Sequence, residues 1–130
     1  MLIGEDFEKI KLHVFGLDLL EPNAFIGDVV ILAIALFCAN KTNQLKSHGM
    51  FFVYWRWFFL VFGFGFIFGG LGHLFYNYTG VPGKYLSWYS GIVSSYLIEM
   101  AFISVFPYQN WIPKLKVIAL VKMIAVFVIA

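Results

Sequence analysis

Four side chains able to carry charge stand inside otherwise apolar runs: Asp28, His73, Glu99 and Lys122. A carboxylate and an amine such as Glu99 and Lys122 can neutralise one another or pass a proton. An imidazole such as His73, with Asp28 beside it, can hold a metal or act as a base. Just before the first run stand Asp18, Glu21 and Asn23, hard oxygen donors of the type that calcium takes. Glu21 and Asp28 are two helical turns apart and would share a face of a helix that began at Glu21. Glu21 also suits a plainer role, an acid at a helix N-terminus beside free backbone donors.

The donor inventory bounds these chemistries. The single cysteine, Cys38, allows no intramolecular disulfide and no cysteine metal cluster. A bis-histidine haem site needs a second buried histidine, and His13 and His48 fall outside the apolar runs. Zinc takes three or four protein ligands, and Glu21, Asp28 and His73 are the candidates for one site. The structural alternative for His73 is a hydrogen bond to Asp28 or to a carbonyl.

The elements that must position these groups follow from composition. Of 130 residues, 62% are hydrophobic and 12% charged, and the mean hydropathy is +0.85. Soluble domains average about 45–50% apolar and about 25% charged residues, and a chain this short buries too little surface to hide the excess. The expected solvent is lipid. Four runs are apolar enough to cross a bilayer, over residues 22–40, 58–75, 87–106 and 113–130. The expected fold is an all-α, multi-pass membrane helix bundle, with residues 1–21 an extramembrane segment and residues 22–130 the bundle. The chain is expected to continue past Ala130, because the fourth run is still apolar there.

Flanking residues set the orientation. Tyr54, Trp55, Arg56 and Trp57 before the second run, and Trp88 and Tyr89 at the third, suit a headgroup boundary. Lys41, Lys46, Arg56, Lys114 and Lys116 outweigh Lys9, Lys11 and Lys84, which puts the N-terminus outside. The N-terminus carries acids where a secretory signal has its basic region, and reads as mature protein. Alternation of Ile10, Leu12 and Val14 with Lys9, Lys11 and His13 fits a short strand or an interfacial segment. Asn77-Tyr78-Thr79 is a glycosylation sequon if exposed in a secretory pathway. A formal charge of +2 with no basic tract excludes a nucleic-acid role.

With this topology the charged groups fall into two layers. Asp28 and His73 lie roughly 6 Å and 4–5 Å from the outer boundary, and Glu99 and Lys122 roughly 10 Å and 12 Å from the inner one. The expected layers are an outer one of Asp28 and His73 and an inner one in which Glu99 and Lys122 form a buried ion pair. Gly63, Gly65, Gly69, Gly70 and Gly72 crowd the second run. Gly65 and Gly69 have the spacing that lets helix backbones approach, and Gly72 adds to this helix-packing set. His73 follows Gly69 by four residues, on or near the same groove.

The run Asp18-Leu19-Leu20-Glu21-Pro22-Asn23 resembles the start of the alkaline ceramidase-like superfamily, multi-helix membrane proteins that include lipid-amide hydrolases. Gly69-Gly70-Leu71-Gly72-His73 is similar to the place where that superfamily has a serine followed four residues later by a zinc-binding histidine. The resemblance implies calcium at Asp18, Glu21 and Asn23, and zinc at His73. Gly69 stands at the serine position, and the paired histidines that complete the zinc site would lie beyond Ala130. Three functions are weighed: a non-catalytic helix-packing subunit of a larger membrane assembly, partnered by lipids and other transmembrane helices, which is the one expected; a divergent metal-dependent lipid-amide hydrolase using His73 as the alternative; and an ion or proton pathway resting on Glu99 and Lys122 alone.

Overall fold

The structure, a computed structural model, describes residues 10–129. The acidic stretch read as mature protein and Ala130 at the end of the fourth run lie outside the described residues. Within them the protein is mostly helical, and a two-stranded hairpin precedes the helices.

The alternating N-terminal segment is a strand. β1 (Lys11–Val14) pairs antiparallel with β2 (Leu17–Leu20), with His13 opposite Asp18. Phe15 and Gly16 make the two-residue turn, both at positive φ (51° and 77°), the geometry that matches the twist of paired strands. Phe15 occupies a position that usually goes to Asn or Asp, which is why the sequence carried no hairpin signal.

α1 (Pro22–Gln44) starts at proline, whose missing donor and fixed φ suit a first helical turn. It runs about one turn past the apolar stretch, carrying Lys41 in its last turn. A single 3-10 turn (Lys46–His48) and Gly49, at φ 136°, reverse the chain into α2 (Met50–Leu74). α2 starts eight residues before the expected second span (50 against 58), so the Tyr54–Trp57 aromatic group lies within the helix. α1 and α2 are each long and apolar enough to cross a membrane. A short helix, α3 (Tyr76–Thr79), and a second 3-10 turn (Val81–Lys84) lead to α4 (Tyr85–Ser104). α5 (Ile112–Ile129) follows.

The helices pack in sequence order, α1 on α2, α2 on α4 and α4 on α5. The reason lies in the glycines of α2. At about 100° per residue, Gly63 and Gly70 share one face, while Gly65, Gly69 and Gly72 share the nearly opposite one. A Cβ on Gly63 would stand 2.7 Å from the Ala35 Cβ of α1, and one on Gly69 would stand 2.9 Å from the Ser87 hydroxyl of α4. The central helix thus meets a neighbour on each side through bare backbone, and the helices form an open row. α5 closes nothing: Ala119 is its one buried residue among those described.

Candidate functional site

The hairpin positions Glu21. Its backbone N–H donates to the Ile10 carbonyl at 2.8 Å, and its own φ is 51°, a left-handed conformation that costs a residue with a Cβ about 1–2 kcal/mol. From there its carboxylate reaches across to the end of α2, where His73 Nδ1 lies 2.9 Å from Oε2. His73 therefore takes Glu21 as its hydrogen-bond partner, with Asp28 near enough to interact with it electrostatically. Asp28 lies over Gly70 instead, where a Cβ would come within 2.5 Å of its Oδ2. His73 sits three residues beyond that contact and meets the very start of α1, one to two turns above Asp28.

The other donors in the expected cation site are drawn apart. Asp18 Oδ1 accepts from His13 Nδ1 at 2.7 Å. Its backbone N–H donates to the Tyr78 hydroxyl at 2.9 Å, and its carbonyl accepts from the Asn77 amide at 3.1 Å. These two bonds dock β2 onto α3 and occupy the sequon asparagine. Asn23 is exposed on the first turn of α1. The carboxylates of Asp18 and Glu21 thus serve two different histidines. Among the described residues no group of three or more His, Cys, Asp or Glu side chains is placed to hold a metal. His73, Glu21 and Asp28 thus form no such group, and Asp18 and Glu21 have no third His, Cys, Asp or Glu beside them. What remains is a hydrogen-bonded clasp of hairpin, α1 and α2.

Glu99 and Lys122 meet as the layer argument expects. The Lys122 ammonium donates to Glu99 Oε1, joining α4 to α5. Their side chains are 32% and 57% exposed within the chain, so the pair lies on an open flank and not in a protein interior. Near the other end of the contact Tyr89 stacks on Phe127, centroids 5.0 Å apart and planes 6° from parallel.

The expected packing glycines Gly65, Gly69 and Gly72 face α4 and the turn before it. Added Cβ atoms would collide with the Ser90 hydroxyl at Gly65 and, at 2.6 Å, with the Gly83 carbonyl at Gly72. Sequence reasoning missed the second glycine face, Gly63 with Gly70, and the small residues that answer the first, Ser87 and Ser90. Both were signalled by spacing: seven residues for the glycines and three for the serines.

No curated protein and no solved structure matches the chain. A family model does match, over residues 24–130, from the first turn of α1 through α5. The hairpin and Glu21 precede the matched region, whereas Asp28, both glycine faces, His73 and the Glu99–Lys122 pair lie within it. The chain belongs to that family, described as a Family of unknown function (DUF6962).

Proposed function

We propose that this chain is an integral, multi-pass membrane protein with its N-terminus outside, acting as a non-catalytic helix-packing subunit of a larger membrane assembly. α1, α2, α4 and α5 are the four spans in this reading. The observation that carries it is the bareness of the row's ends. On α5, Val117, Ile118, Val121, Ile124 and Val128 are all exposed, and on α1 so are Ile26, Val30, Ile34 and Phe37. Patches of this extent mark membrane or protein contacts. Lipid tails satisfy such faces, and other transmembrane helices pack on them. The short loops support the same orientation, because Lys41 and Lys46 at one turn and Lys114 and Lys116 at another fall at the same end of the row.

The clasp at His73 supports a structural role. A hydrolytic centre needs a metal or a nucleophile beside the base, and the groups around His73 supply neither donor set. Purification from native membranes in mild detergent tests the proposal. The expected product is the chain in fixed ratio with other membrane subunits. A solitary chain that hydrolyses lipid amides would overturn it.

A further inference from the structure

A cleft lies between α4 and α5, with a volume of about 490 Å3, within the about 300–1,000 Å3 range of small-molecule sites. Gly91, Ser95 and Glu99 line it from α4, and Ala119, Lys122 and Met123 line it from α5. Most of the wall is apolar. Its floor is open at Gly91, where an added Cβ would meet nothing within 4 Å, in contrast to the glycines of α2. The Ser95 hydroxyl is already committed, donating to the Gly91 carbonyl at 3.1 Å.

The polar end of the cleft is the ion pair, and the pair is incompletely satisfied. An ammonium has three donors and a carboxylate two acceptor oxygens. One Lys122 N–H goes to Glu99 Oε1. Among the described residues nothing else bonds the remaining Lys122 donors or Glu99 Oε2. In water these would be hydrated. Flanked by apolar helix surface at depth in a bilayer, they require a partner. A ligand carboxylate would compete with Glu99 and a ligand amine with Lys122. A carbonyl would accept from Lys122 and leave Oε2 bare. A hydroxyl both donates and accepts, and one such group answers both residues without breaking the pair.

We propose that the α4–α5 cleft binds an apolar molecule carrying a hydroxyl group, a lipid alcohol, with the hydroxyl seated on Glu99 and Lys122 and the apolar body lying along Ser95 and Gly91. From Glu99 to Trp88, the far lining residue of α4, the cleft runs roughly 16 Å, room for an extended alkyl or fused-ring body. The site is independent of the hairpin clasp, and rests on the proposed membrane setting.

The test uses the chain in lipid nanodiscs and two photoactivatable probes: a long-chain alcohol bearing a diazirine, and the same diazirine alkane without the hydroxyl. Labelled peptides are identified by mass spectrometry. The alcohol is expected to label the cleft faces of α4 and α5 about tenfold more than the alkane, the factor that one charge-assisted hydrogen bond supplies. The double variant Glu99→Leu with Lys122→Met removes the pair without stranding a charge, and should reduce the alcohol to the alkane's level. Ser95→Leu narrows the cleft while keeping the pair, and should suppress labelling by both probes. Equal labelling by alcohol and alkane overturns the proposal, as does an alcohol preference that survives the double variant. Cross-linking of the cleft to another polypeptide also overturns it, since a helix then covers the site. Alkaline carbonate extraction of the chain from native membranes separates these failures from failure of the membrane reading itself: release into the aqueous phase sinks the latter.

Discussion

His73 and Glu21 show how little of a side chain's role follows from its type. A histidine in an apolar run with a carboxylate nearby reads as a ligand or a base, and the backbone decides otherwise. The hairpin's two-residue turn and the left-handed Glu21 bring one carboxylate to His73, while the close contact over Gly70 keeps the other one deeper. Neither the turn nor the φ of Glu21 leaves a mark in residue identity, so this pairing was illegible in the sequence. The pair is half-exposed, and pairs of that kind contribute about 1 kcal/mol or less. His73→Ala is expected to leave the melting of the helices nearly unchanged and to speed proteolytic cutting at Phe15–Gly16, because the hairpin loses its tether. Loss of the helical fold on that substitution would contradict the clasp.

The Glu99–Lys122 pair, by contrast, was legible, because a helical rise of 1.5 Å per residue places the two at one level. In the proposed membrane setting, Lys122→Met alone strands a carboxylate beside lipid and should destabilise by about 3 kcal/mol. Adding Glu99→Leu should recover most of that loss. Unfolding of the reconstituted single and double variants checks the order, and a double variant no more stable than the single would refute it.

At the scale of elements, composition and hydropathy located every long helix, and the Pro22 start of α1 was readable to the residue. The ends were less legible. α1 and α2 run past their apolar cores, since polar and aromatic residues at a boundary remain helical when their backbone donors and acceptors are satisfied within the helix. The packing of α2 was half legible: one glycine face was visible through a four-residue spacing, and the other was hidden among many phenylalanines. Substitutions separate the two kinds of glycine. Gly63→Ala brings a Cβ against Ala35 and should cost about 1–3 kcal/mol. Gly27→Ala meets nothing within 4 Å, and should stabilise α1 by about 0.5–1 kcal/mol through helix propensity. Gly65→Ala should destabilise, and Ser90→Gly should restore part of the loss, a non-additivity expected of direct neighbours. Thermal unfolding in detergent of these variants reads all three effects. Equal responses at Gly27 and Gly63 would remove the basis for the row.

For the whole molecule, the decisive feature is that α2 is sandwiched and the row's two ends are not. Four apolar runs joined by short loops predict a helix bundle but do not say whether its ends meet. The nearly opposite glycine faces of α2 keep the ends apart: they send α1 and α4 to different sides, and leave α1 and α5 with apolar faces that the described residues do not cover. An isolated row would present those faces to lipid alone, whereas a subunit would pack them against further helices. The most direct measurement is native mass spectrometry of the protein purified from its own membranes in mild detergent, with metal content determined on the same sample. The account predicts the chain in stoichiometric complex with other membrane subunits and no bound metal. A solitary chain carrying one zinc that is lost on His73→Ala would contradict it and return His73 to the role of ligand.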